Sequence, residues 1–354
     1  MNLQDVLDPL DIFRRFTGIR MQDIYNLLLA KGWTLGSTYL LPMMHAIIRA
    51  YHKDQVKLLS DYWRRNTPDM VVSLVPNFNR ALYASLQREC PDVPFITVLT
   101  DFADFPPHFW MERQPGQYFI CGTTRAVEQA NRIGHPASRI FPVSGMILRP
   151  QFYDTQSCDL AQERLRLCLS PELPTGLVLF GGEGSNVMYS IAERLGNSSL
   201  DLQLIMICGR NQKLKQRLED LTTRNKLFIE GFTREVPYYM HLSDFFIGKP
   251  GPGSISEALK LGLPAIVERN SWTLPQERYN ADWLREHDAG IVLSNFRQIE
   301  NAVRQLLING NLQKMKQRIS RMDNRAVFEV PRILQKVLAE HSAAPATVPT
   351  SLGA

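Results

Sequence analysis

Phe246-Ile247-Gly248-Lys249-Pro250-Gly251-Pro252-Gly253-Ser254-Ile255-Ser256-Glu257-Ala258-Leu259 is a strand, a turn and a helix start in one run. The run 244–247, apolar after Asp244, reads as a strand, and the glycine-proline turn ends it. Ser254 is placed to cap the helix that follows, with Glu257 three positions on as its capping-box partner. Such a unit suits an anion. Glycines let the main chain approach a ligand closely, while the free N–H groups and the positive dipole end of a helix start favour a phosphate or diphosphate. An ordinary βα turn with a good cap has the same sequence, so the neighbouring segments have to decide.

Outward from this stretch the pattern repeats. Leu177-Val178-Leu179-Phe180 runs into Gly181-Gly182-Glu183-Gly184-Ser185, residues 202–207 into Cys208-Gly209-Arg210-Asn211, and 227–229 into Glu230-Gly231-Phe232-Thr233; 265–267 and 290–293 are two further strands. Nearer the N-terminus, strands at 70–75, 95–99, 118–121 and 140–143 are spaced by helices at 80–88 and 124–133. Strands alternating with helices predict parallel sheets covered on both faces, with ligands at the carboxyl ends of the strands. In the first series those ends carry Pro76-Asn77-Phe78-Asn79, Thr100-Asp101-Phe102-Ala103-Asp104 and Ser144-Gly145-Met146.

Residues 147–175, with Pro150, Pro171 and Pro174, break the alternation. The expected organisation is therefore an N-terminal domain over 1–150, a linker over 151–175, a second domain over 176–310, C-terminal helices over 311–341 and a disordered tail over 342–354.

At 354 residues, 44% hydrophobic and 21% charged, the chain has room for two full cores. A net charge of +5 suits an anionic membrane surface or a phosphorylated ligand. No stacking-aromatic or recognition-helix pattern points to nucleic acid. Cys90, Cys121, Cys158, Cys168 and Cys208 lie far apart without a CxxC, as expected of buried thiols in a reducing compartment rather than a metal site. Neither a basic n-region nor an apolar h-region follows Met1, so a cytoplasmic protein is expected. The longest run free of Lys, Arg, Asp and Glu, 32–48, contains Gly36, Pro42 and His45 and is shorter than the roughly twenty apolar residues of a spanning helix. Residues 24–48 are rich in apolar and aromatic side chains, and Arg49, His52, Lys53 and Lys57 gather just beyond. That composition fits a segment lying in a membrane interface, or a helical layer packed on the next domain.

The loops narrow the chemistry. Gly181-Gly182-Glu183-Gly184 could pass for a dinucleotide fingerprint, but a nicotinamide site needs an acidic group at the end of the next strand, which here ends in Cys208-Gly209-Arg210. Glu257, one turn into its helix, can accept hydrogen bonds from both hydroxyls of a ribose, in competition with the capping role. Pro275-Gln276-Glu277-Arg278-Tyr279-Asn280 puts an amide and a carboxylate at a helix start, either to read sugar hydroxyls or as a plain charged helix start.

The succession Gly231-Phe232-Thr233, Lys249-Pro250-Gly251-Pro252-Gly253-Ser254-Ile255-Ser256-Glu257-Ala258, Gly262-Leu263-Pro264 and Pro275-Gln276-Glu277-Arg278-Tyr279-Asn280 resembles the donor domain of the monogalactosyldiacylglycerol synthase family. These are GT-B glycosyltransferases of family 28, related to the bacterial processive diacylglycerol glucosyltransferases. Thr100-Asp101, Gly145 and Arg149-Pro150 resemble acceptor-domain landmarks, so the likeness runs over residues 21–304.

The resemblance implies two Rossmann-like αβ domains facing a central cleft, and transfer of galactose or glucose from a UDP-hexose to diacylglycerol with inversion. It implies no cofactor and no metal, since helix dipole and N–H groups neutralise the departing UDP. The enzyme would sit peripherally on the inner face of a membrane, attracted by anionic lipids. The diphosphate would rest on Gly251, Pro252, Gly253 and Ser254, and the ribose on Glu257. Main chain around Phe232 and Thr233 would hold the uracil. Gln276 and Glu277 would bind the hexose, with Asn280 in the same block and Gly182, Glu183 and Gly184 alongside.

The family begins with a strand and a Gly-Gly-Gly-His loop whose histidine is the leading candidate for activating the acceptor. This chain is expected to enter the fold after that loop. Asp101 is then the general base on position and His108 the next, although His108 reads equally as a surface histidine beside aromatics. Another lipid acceptor, a UDP-sugar epimerase and a non-catalytic nucleotide-sugar-binding protein stay open as alternatives.

Overall fold

The computed structural model describes residues 1–8, 46–114, 116–154 and 159–342, so residues 24–45, Cys158 and the tail from 343 lie outside it. The N-terminal domain consists of α1 (Leu3–Leu7), α2 (His52–Arg65), β1 (Val71–Ser73), α3 (Asn79–Glu89), β2 (Phe95–Val98), β3 (Tyr118–Cys121), α4 (Thr124–Arg132) and β4 (Ile140–Pro142). Its strands form one sheet in the order β1-β2-β3-β4, every pairing parallel. Strands such as Phe95-Ile96-Thr97-Val98 are buried throughout, because helices cover both faces of a parallel sheet and leave no solvated side.

A linker with helix α5 (Leu160–Arg166) leads to the second domain. There β5 (Thr175–Leu179), α6 (Val187–Gly196), β6 (Gln203–Ile207), α7 (Gln212–Glu219), β7 (Lys226–Glu230), α8 (Val236–His241), β8 (Phe245–Gly248), α9 (Pro252–Lys260), β9 (Ala265–Glu268), α10 (Arg278–Glu286) and β10 (Gly290–Leu293) alternate, followed by α11 (Ile299–Leu307), α12 (Asn311–Ile319) and α13 (Ala326–Ser342). The six strands are ordered β10-β9-β8-β5-β6-β7, again all parallel. The chain lays β5, β6 and β7 outward in one direction and then returns to place β8 on the other side of β5. The loops after β5 and β8 therefore diverge from adjacent strands, and a crevice opens at this switch point. It is formed by the glycine loops at 181–185 and 249–254.

Two features join the domains. Helix α13 crosses back, and its Val330 and Val337 pack with Ile96, Val98, Tyr118 and Ile120 of the first sheet. Where the chain crosses, Ser144 donates from N and Oγ to Glu329 Oε2 (2.7 and 2.9 Å), and Asn324 Nδ2 donates to the Met146 carbonyl (3.0 Å). Gly145 has to be glycine here, since a Cβ would run into the Asn324 side chain. Across the cleft, Phe102 is buried in the core of the second domain and meets the Trp283 ring edge-on at 4.9 Å.

The linker is more ordered than its prolines imply. Buried Arg164 donates to Asp244 Oδ2 (2.9 Å) and to the Leu242 carbonyl (3.0 Å), and Lys316 Nζ lies 2.8 Å from Asp244 Oδ1. Of the cysteines, Cys121 and Cys208 are buried, and burial pushes their thiols up to about 12 and about 11; Cys168 is exposed, which corrects the expectation of a buried thiol there. Arg164→Met leaves Asp244 with Lys316 as its one remaining cation in a largely dry site, and urea unfolding should show a loss of about 3 kcal/mol.

Candidate active site

The turn after β8 departs from the expected cap. Pro252 fits the first helical position, where its fixed φ is favourable and its missing N–H costs nothing, so Gly251 becomes the N-cap and Ser254 falls in the first turn. The capping box of Ser254 with Glu257 does not form. Glu257 is thereby released from the competing role. Half-buried, it is pushed by burial up to about 7, with Arg149 from the end of the first domain acting in the opposite sense.

The Gly253 and Ser254 amides lie too early in α9 to have intrahelical acceptors. A Cβ on Gly253 would meet nothing within 4 Å, so the glycine leaves an open approach to the main chain that the fold itself does not demand. Gly184 and Gly209 differ: a Cβ on either would strike a carbonyl of the facing loop, which is how the loops after β5 and β6 press together. Arg210 binds these loops to a third, pairing with Glu183 (2.8 Å) while its guanidinium lies 4.7 Å above the Phe232 ring. Phe232 is exposed, and Thr233 Oγ1 accepts the Glu235 N–H ahead of α8.

From the next loop, Glu277 projects back to the turn. Its carboxylate is nearly enclosed and lies 3.5 Å from Lys249 Nζ. Gln276 beside it is half-buried. Asn280 lies deeper than either. It is fully buried, and its Nδ2 donates to the Pro250 carbonyl (3.0 Å), so it holds the turn from behind.

Opposite the donor loops stands the end of β2. Asp101 is buried, accepts the Trp110 indole N–H on Oδ2 (2.9 Å), and senses Glu277 across the cleft. Burial pushes its carboxyl up to about 6, Trp110 pulls downward and Glu277 pushes further up. Trp110 is itself fixed by Asp104, which accepts the main-chain N–H groups of His108 (3.0 Å) and Trp110 (2.6 Å). His108 stays within this loop, its Nδ1 3.2 Å from the Met111 carbonyl and its backbone at φ 68°. Asp101 is thus the carboxylate that feels Glu277, while the bonds of His108 stay within its own loop. Trp110, Asp104 and Lys249 were missed as site residues; the aromatic run around His108 was the available signal for the first.

A carbon-13 carboxyl titration checks the electrostatics. Trp110→Phe removes the donor that favours the ionised form, so Asp101 should titrate above about 6. Glu277→Gln removes a repelling charge, so it should titrate lower.

Residues 177–337 match the glycosyltransferase family 28 C-terminal domain. Over 248 residues, 68% of its length, the chain is 30% identical to a probable monogalactosyldiacylglycerol synthase 2 of Oryza sativa subsp. japonica, covering 52% of that protein. It is 25% identical over 335 residues to the processive diacylglycerol beta-glucosyltransferase of Bacillus subtilis, covering 90% of this chain and 84% of that one. The chain spans about half the length of the plant synthases it matches. Among solved structures, Acinetobacter baumannii MurG aligns with a TM-score of 0.54 at 14% identity over 79% of this chain and 77% of that one, a likeness of fold. With its two parallel-sheet domains facing a cleft, the chain has the GT-B fold, its second domain carries the family 28 C-terminal domain, and as a whole it is similar to the monogalactosyldiacylglycerol synthases and processive diacylglycerol glucosyltransferases.

Proposed function

We propose that the protein transfers a hexose, galactose or glucose, from a UDP-sugar to diacylglycerol with inversion at the anomeric carbon. The observation that carries this reading is the cleft in which Phe102, next to Asp101, meets Trp283 of the donor domain edge-on, opposite a helix start with free N–H groups. The diphosphate lies against the Gly253 and Ser254 amides, and Glu257 takes the ribose hydroxyls. Phe232, braced by Arg210, flanks the uracil, and Gln276 with Glu277 reads the hexose. Asn280 acts through the turn. Asp101 accepts the proton of the acceptor hydroxyl as its oxygen attacks from the face opposite the diphosphate. Charge on the leaving group is met by the helix start, so the reaction runs without a metal.

The acceptor sets where this happens. Each methylene of a diacylglycerol drawn into water costs roughly 0.8 kcal/mol, so the enzyme goes to the membrane. Among the described residues no helix is long and apolar enough to cross one. Instead Arg49, Lys53 and Lys57 recur every fourth residue, all exposed, ahead of and along α2, and this basic edge suits an anionic surface on the inner face.

Incubation with diacylglycerol vesicles and labelled UDP-galactose or UDP-glucose in separate tubes should put label into the lipid phase from one donor. No label from either, with UDP still bound, would replace diacylglycerol by another acceptor or a binding role. Glu257→Ala should weaken UDP binding. Asp101→Asn should lower kcat by about a hundredfold or more with donor affinity retained. Reversing Arg49, Lys53 and Lys57 to glutamate should release the protein from anionic vesicles in a flotation assay while UDP affinity stays unchanged.

A further inference from the structure

Lys249 follows β8 directly and occupies the floor of the crevice. Its Cε lies 3.8 Å from where a Cβ on Gly181 would stand and 3.6 Å from the corresponding point on Gly251, so the stem runs between the two glycine loops. The ammonium ends 3.5 Å from Glu277 Oε1; the lysine side chain is 47% exposed and the glutamate 12%. A pair this long, with one partner half in water, is weakly held and readily exchanged. Glu277 is also the carboxylate whose charge reaches Asp101.

We propose that Lys249 is the cation that receives the leaving diphosphate, and that Glu277 holds it in readiness until the donor arrives. This rests on the donor-site reading above. During transfer the bond between the anomeric carbon and the β-phosphate oxygen breaks, and its electron pair stays on that oxygen. The acceptor oxygen forms the new bond to the carbon and its proton passes to Asp101. UDP departs one negative charge richer than it was in the sugar nucleotide. The start of α9 offers about half a positive charge and two fixed amides, whereas an ammonium offers a full charge that can follow the oxygen as it withdraws. When Lys249 leaves Glu277, that carboxylate is free to accept hexose hydroxyls. Its uncovered charge also raises the proton affinity of Asp101 as the acceptor proton arrives.

Calorimetric titration of the full chain with UDP and with uridine, which lacks phosphates, isolates the effect. Lys249→Met should weaken UDP about tenfold and leave uridine unchanged, with Lys249→Arg restoring most of the loss. Glu277→Gln, which frees the ammonium, should tighten UDP, a gain that a merely structural role would not produce. In turnover, Lys249→Met should lower kcat more than it raises the KM for UDP-hexose. Equal losses for UDP and uridine, or no loss for UDP, would overturn the assignment. Wild-type protein that binds neither compound would discard the donor site itself and this proposal with it.

Discussion

In a parallel sheet every strand ends on the same side, and every following helix starts there with unsatisfied N–H groups. Adjacent loops normally lean the same way and close over one another. The return of the chain from β7 to β8, beside β5, is the one place in the second domain where neighbouring loops diverge. The open glycines, the start of α9, Lys249 and the enclosed Glu277 all have their positions from that divergence. Buried Asn280, tied to the Pro250 carbonyl, keeps the turn from relaxing into the gap.

The first domain answers with a loop built on a carboxylate. Asp104 gathers main-chain N–H groups, the gathered loop buries Trp110, and Trp110 orients Asp101. Asp101 and Glu257 are both raised by burial, so each favours the folded protein while protonated, and that contribution is lost as pH rises through about 6 and about 7. Near neutrality the cleft carries an electrostatic load. On the proposed function, substrate hydroxyls that donate to these carboxylates would relieve it, tying ligand affinity to the same burial that perturbs the groups.

The strands were legible because parallel strands are buried on both faces and read as unbroken apolar runs: Leu177-Val178-Leu179 and Leu204-Ile205-Met206-Ile207 admit little else. The turn after β8 was legible as a strand, a turn and a helix start but not in register. Serine is a good N-cap and drew the helix start to Ser254, whereas proline at the first helical position fixed it earlier. The roles of Asn280, Trp110 and Lys249 depend on partners distant in sequence, and no local pattern separates an asparagine that touches a sugar from one that holds a turn. The destination of α13 was hidden for a related reason. An amphipathic helix announces that one face will be covered but not by which domain.

The paired crossings between the domains carry a mechanical consequence. Residues 144–148 and 324–329 pass the boundary side by side and are bonded to each other, so the two halves are fastened along one short edge, and a bend there costs fewer contacts than a slide. Phe102 and Asp101 are neighbours in the chain, so a bend that moves Phe102 from Trp283 moves Asp101 with it. On the proposed function, an opening that parts Phe102 from Trp283 would also withdraw Asp101 from the sugar, and proton acceptance would belong to the closed form alone.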